Sequence, residues 1–148
     1  MLVLVQANVL TVGLSEKSQA LKELPIRIVN MQQGKEAARS LKKEKFDSVI
    51  SSWNVKDMKK GHFLKKLKSV KPDIPTIIFV ESGNQQQEIE ARVSGATAVL
   101  PENINDDSFR DVVVNLLGLE GKIDIKSISP LKQNSNKYEN IIHREKQV

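Results

Sequence analysis

Short apolar runs of strand length alternate along this chain with segments whose apolar residues recur every three or four positions. The runs cover residues 2–6, 26–30, 47–52, 76–80 and 97–100. They are rich in Val and Ile and mostly unbroken by polar residues, the pattern of parallel strands covered on both faces. Between them, Leu14, Leu21 and Leu24 suit a first helix, and Ala37, Ala38 and Leu41 a second. Phe63, Leu64, Leu67 and Val70 stripe a third, and Ile89 and Val93 a fourth that stops at Gly95. The last helix has the clearest pattern. Phe109, Val112, Val113, Leu116 and Leu117 fall at i, i+3, i+4, i+7 and i+8, one apolar stripe. Asn105, Asp106 and Asp107 stand at its start, where free N–H groups want acceptors, and Gly118 can end it.

A five-fold strand–helix alternation of this size predicts an α/β fold, a doubly wound five-stranded parallel sheet with helices on both faces. The expected strand order is the flavodoxin-like 2-1-3-4-5. Composition changes after Gly118. Residues 119–148 carry Ile123, Ile125 and Ile128, then Pro130 and a polar run over 133–137, which predicts a domain over 1–118 and a flexible basic extension over 119–148. Within that extension Tyr138, Ile141 and Ile142 share one helical face and are candidate docking residues.

Composition narrows the function classes. The 148 residues suffice for one domain with a core. Twenty-three basic against 18 acidic side chains leave an excess of +5, which favours anionic partners without establishing nucleic-acid binding. The absence of cysteine excludes disulfides and thiolate metal sites. No apolar run reaches the roughly 20 residues of a membrane helix, and the apolar start has no basic leader region before it. The expected compartment is the cytoplasm, with no membrane partner.

Several stretches resemble landmarks of the bacterial response-regulator receiver domain, in the family's order over residues 1–118. They are Gly34-Lys-Glu-Ala37, Phe46-Asp-Ser-Val-Ile50, Pro75-Thr-Ile-Ile-Phe79 and Gly95-Ala96. The resemblance implies a chemistry that these residues do not supply. In the family an aspartate ending the third strand attacks a phosphoryl group as a carboxylate nucleophile. An acidic pair ending the first strand helps to hold Mg²⁺, which neutralises charge on the transferring group. A Ser or Thr and a Lys, ending the fourth and fifth strands, bind the phosphoryl oxygens. Here Ser52 stands for the aspartate, Gln6 and Ala7 for the acidic pair, Val80 for the hydroxyl residue and Glu102 for the lysine. The expectation is a degenerate pocket, neither enzyme nor metal site, with no cofactor. The family's fourth helix, fifth strand and fifth helix form its usual output and dimerisation face. In this chain that face would carry Gln87, Ala91, Arg92, Val99 and Arg110, with Val99 in place of the family's aromatic switch residue.

Other features carry weaker signals. Glu81 and Asp57 read as solvated loop charges, too few to rebuild a metal site. Trp53, the single tryptophan, suits packing better than capping the vacated pocket or anchoring a partner. His62 and His143 lack ligand spacing. Seven lysines between 56 and 71 sit opposite the Phe63/Leu67 stripe, as a solvated face or as an anion-binding surface. The sequence therefore favours a phosphorylation-independent receiver-like signalling domain acting through protein–protein contact, as a homodimer or with another protein. The alternative is a basic nucleic-acid-binding adaptor using the helix of residues 56–71. Third stands a flavin or small-molecule binder near Ser52 and Trp53, although the loop of residues 8–15 has Leu10, Val12 and Leu14 where a phosphate loop would be polar.

Overall fold

A computed structural model describes residues 7–119. Five strands, β1 (Ala7–Val12), β2 (Ile26–Met31), β3 (Ser48–Ser52), β4 (Thr76–Val80) and β5 (Ala98–Pro101), alternate with a 3-10 helix (Lys17–Leu21) and four α-helices. These are α1 (Gly34–Lys43), α2 (His62–Val70), α3 (Gln85–Val93) and α4 (Asp106–Leu117). All strand pairs are parallel, in the order β2-β1-β3-β4-β5, as the alternation predicts. Each parallel step needs a crossover, and the crossovers cover both faces. Leu10, Val12, Val49 and Ile78 pack under α1 and α2 through Leu41, Phe63, Leu64 and Leu67. On the other face Val9, Ile50, Ile77 and Phe79 pack with Leu21, Phe109 and Val113. Alternate residues of the central strands thus feed opposite layers, which is why apolar residues occur on both sides of them, while edge strand β2 exposes Arg27 and Asn30.

The first described strand is Ala7–Val12, beyond the expected run of residues 2–6, which lies outside the described residues. Two apolar runs stand back to back at the start of the chain. The second, ending at Gly13 with φ 70°, pairs in register with β2 and β3. Two expectations are corrected. The first helix shrinks to one 3-10 segment, held by the Ser18 hydroxyl donating to the Ser15 carbonyl at 2.9 Å. Leu14, Leu21 and Leu24 are nevertheless buried as predicted.

The second correction concerns α3. Its core side carries Gln87 and Ala91, while Ile89 and Val93 are 57 % and 82 % exposed. The helix phase is set at its start. Asn84 caps it by accepting the Gln87 N–H at 3.1 Å, and the buried Gln87 Oε1 accepts the Glu81 N–H at 2.9 Å. Ala91, one turn on, lets the helix sit close to the sheet. On α4, Phe109 and Val113 are buried, Asn105 accepts the Ser108 N–H at 2.8 Å, and Gly118 at φ 66° ends the helix as expected. The Leu119 N–H then donates to Val114 O at 3.0 Å and its side chain is buried. Ile123, Ile125, Ile128, Tyr138, Ile141 and Ile142 lie outside the described residues.

Candidate functional site

In a parallel sheet of this topology ligands meet the carboxyl ends of the strands. The residues there come from β1, β3, β4 and β5. Gly13 follows β1, and its N–H donates to Met31 O at 2.8 Å. A Cβ on Gly13 would lie 3.9 Å from Ser52 Cβ, so these two positions face each other. Ser52 ends β3 and is half-buried; its Oγ accepts the Asn54 N–H at 3.3 Å. Val80 ends β4 and is buried. Glu102 follows β5 with an exposed side chain, and its N–H donates to Val80 O at 2.9 Å.

Ala7 does not join this group. Ala7 opens β1 opposite Ile26, at the far edge of the sheet, about 16 Å from Val12 at ~3.3 Å per residue. Gln6 lies outside the described residues. The positions that follow β1 belong to Gly13 and the buried Leu14. The mostly apolar run Val9-Leu-Thr-Val12, closed by a glycine, was the sequence signal for this placement.

The site is stitched together by its own groups. Lys17, one of the residues that sequence reasoning passed over, donates from Nζ to the Glu102 carbonyl and stands 4.8 Å from the centre of the Phe79 ring. A cation over an aromatic face is attracted to the ring quadrupole. Ser82 Oγ accepts the Asn103 N–H at 3.2 Å, tying the loop after β4 to the loop after β5. An ammonium thus stands beside the end of β5, held by a backbone carbonyl and an aromatic ring.

A hard cation such as Mg²⁺ needs several oxygen ligands on one point. Gly13 and Leu14 offer no side-chain oxygen, and the Ser52 hydroxyl is a neutral oxygen already accepting a hydrogen bond. Among the described residues no three His, Cys, Asp or Glu side chains converge. The residues present do not fit the metal that the family uses.

Trp53 belongs to the core. It is 4 % exposed, its N–H donates to Phe79 O at 2.8 Å, and its carbonyl accepts the Gly61 N–H at 3.1 Å. Its ring lies flush against Gly61, where a Cβ would come within 2.4 Å of Cη2. Asp57 is more than a solvated charge. Its carboxylate accepts the N–H groups of Gly34 at 2.6 Å and Lys35 at 3.0 Å, the first donors of α1. These amides, with the charge of Lys35 nearby, hold its pKa below the usual carboxylate value despite an opposing desolvation.

The candidate face at α3, β5 and α4 is assembled differently from its sequence outline. Gln87, Ala91 and Val99 are buried. Arg92 is exposed and bonds Glu88 at 3.1 Å, and Arg110 donates to Ala20 O and to Asp107, both at 2.9 Å. The surface itself shows Ile89 and Val93, beside a cleft of about 360 Å³ between α3 and β5 that is lined by Asn84, Glu88, Val99, Leu100 and Pro101 among others.

Residues 12–114 match the family model of the response regulator receiver domain. The chain belongs to that family. Among curated proteins none matches the chain. Solved receiver domains superpose on it closely. One is the signal receiver domain of a putative Luxo repressor protein from Vibrio parahaemolyticus, at 22 % identity and TM-score 0.68, covering 76 % of this chain and 90 % of the other. Another is the signal receiver domain of an HD domain-containing protein from Pseudomonas fluorescens, at 18 % identity and TM-score 0.69, covering 80 % and 91 %. A third is the receiver domain of a sensor histidine kinase from Pseudomonas aeruginosa, solved with a magnesium ion in its active-site cleft. It is 13 % identical with TM-score 0.67, covering 76 % of this chain and 98 % of the other. At these identities the likeness is one of fold. No helix among the described residues is long and apolar enough to cross a membrane.

Proposed function

We propose that this receiver domain works without phosphorylation and serves as a fixed protein-binding module in a signalling or regulatory complex. The observation that carries this reading is the composition of the strand ends. Gly13, Leu14, Ser52, Val80 and Glu102 occupy them, and none provides a carboxylate nucleophile, a hydroxyl clamp or a lysine in its usual place. A serine hydroxyl attacks phosphorus only with a base beside it, and Ser52 faces a glycine. The tie from Lys17 to the Glu102 carbonyl supports a loop arrangement already set without a ligand. A switch needs two states with different affinity for its trigger, and this pocket offers the trigger nothing to bind. The exposed Ile89 and Val93, beside the α3–β5 cleft, supply the apolar contact that a protein partner or a second copy would cover.

The test is direct. The protein is incubated with Mg²⁺ and a small phosphoryl donor and read by intact mass, and with beryllofluoride and read by amide NMR shifts. The expected results are an unchanged mass and no shift at residues 13, 52, 80 or 102. A Mg²⁺-dependent adduct at the strand ends would refute the reading. Ser52→Asp alone is expected to leave the mass unchanged, because Gly13 and Leu14 still provide no metal ligand.

A further inference from the structure

The charge of this chain is divided sharply between two parts of the fold. Residues 34–71 hold twelve basic and four acidic side chains, a local excess of +8. Residues 72–119 hold two basic and eight acidic, an excess of −6. The topology gathers the positive part on one face, because α1 and α2 are adjacent helices over the same side of the sheet. Arg39, Lys42 and Lys43 of α1 and Lys65 and Lys66 of α2 are all exposed there. The sequence shows seven lysines around α2; the fold adds the basic side of α1 to them.

The charge on this face is not neutralised from within. The described ion pairs are Arg27–Glu44, Arg92–Glu88 and Arg110–Asp107, and none takes a side chain from either basic helix surface. Of the four local carboxylates, Glu36 stands exposed in the first turn of α1 and the other three are engaged elsewhere. Glu44 pairs with Arg27 off the end of α1, Asp47 accepts the Asn8 N–H at 2.7 Å, and Asp57 is held by the first amides of α1. One lysine leaves the set: Lys68 donates to Ile74 O at 2.7 Å, its stem lies against Gly95, and burial lowers its pKa.

We propose that the α1–α2 face binds the phosphate backbone of double-stranded nucleic acid without sequence specificity. Three observations select this partner. The exposed charge on this face is mostly lysine, a point charge suited to phosphates, and among the described residues it exposes no Phe, Tyr or Trp for stacking unpaired bases. Its exposed surface also lacks large apolar residues, since Ile89 and Val93 lie on α3. A protein interface takes most of its energy from buried apolar and aromatic anchors and is depleted in lysine, and a membrane-surface helix needs apolar anchors to insert. Duplex backbone needs neither. The ten residues of α1 span about 15 Å, and that length of duplex carries about nine phosphate charges. The acidic start of α4 lies on the opposite side of the sheet, while α3, with Glu88 and Glu90, borders α2 on the same side and confines the approach of a polyanion to the α1–α2 part of it.

The experiment uses the full chain and a fluorescently labelled 20-base-pair DNA duplex, with anisotropy recorded from 50 to 200 mM salt. Binding is expected to weaken steeply with salt, and the quadruple reversal Arg39→Glu, Lys42→Glu, Lys65→Glu, Lys66→Glu is expected to lower affinity at least tenfold. The slope of log affinity against log salt should flatten by about three to four. A control with the same net charge, Lys22→Glu, Lys122→Glu, Lys126→Glu, Lys132→Glu, should stay within about threefold of wild type. Because reversal can disturb folding, the duplex is also titrated into the ¹⁵N-labelled wild type, where shifts should concentrate on residues 34–45 and 56–71. The proposal is overturned by undetectable binding at 50 mM salt, by equal losses in variant and control, or by shifts spread over α3 and α4. Stronger binding to polyglutamate or to anionic lipid vesicles than to the duplex overturns it as well, and assigns the face to those partners.

Discussion

Replacing Asp57 by alanine removes the only side chain that meets the first amides of α1 among the described residues. Gln33 precedes the helix in extended conformation and makes no side-chain cap. Asp57 reaches in from the loop after β3 and takes both Gly34 N–H at 2.6 Å and Lys35 N–H at 3.0 Å. Loss of a capping side chain costs about 0.5–2 kcal/mol, and hydrogen bonds to a charged acceptor lie at about 1.5–3 kcal/mol each. The site is partly exposed, so water replaces some of what is lost. The expected cost of Asp57→Ala is therefore about 1–2 kcal/mol, and about half that for Asp57→Asn, which keeps one acceptor oxygen. In urea, at a slope of about 1.5 kcal/mol/M, the midpoint should fall by roughly 1 M. The pH dependence has a definite sign. The folded pKa is lowered from 3.8, so the contribution is complete above pH ~4 and disappears as pH falls through the folded value. The gap between wild type and Asp57→Ala should be full at pH 7 and close well below pH 4. A gap under about 0.3 kcal/mol at neutral pH, or one that persists undiminished in acid, would refute the capping role.

Two further substitutions test the body of the fold. Gly61→Ala places a Cβ 2.4 Å from the Trp53 ring at φ 74°, so strain and overpacking together should destabilise by about 2–4 kcal/mol, read by thermal melting and by a shift in Trp53 fluorescence. Val93→Lys should leave stability within about 0.5 kcal/mol of wild type, because Val93 is 82 % exposed and a cation suits a helix C-terminus. The same variant should weaken self-association or partner capture, measured by sedimentation and pull-down. A loss of 2 kcal/mol or more in stability would instead put Val93 in the core.

The legible parts of this protein are those where one strong local pattern stands alone. Four of the five strands follow from Val- and Ile-rich runs; β4, buried along its whole length, has no exposed side for polar residues to mark, while edge strand β2 keeps Arg27 and Asn30 exposed. The stripe of α4 with Asn105 before it and Gly118 after it identified that helix, since caps and apolar period agree there. Ser52, Val80 and Glu102 could be assigned to strand ends for the same reason: each closes or follows a well-marked run.

Sequence alone could not decide between competing patterns or between distant partners. Two apolar runs follow one another at the start of the chain, and only pairing with β2 and β3 selects Ala7–Val12 and so brings Gly13 to face Ser52. On α3 the large residues Ile89 and Val93 look like core by size, but the caps at Asn84 and Gln87 set a phase that turns Ala91 inward. Asp57 with Gly34, Lys17 with Glu102, and the two basic helices side by side are contacts across 23, 85 and some 30 positions of chain. Local propensity acts over a few residues. Hydrogen bonds and charge act through space, and the distances that govern them exist only once the sheet has ordered its crossovers.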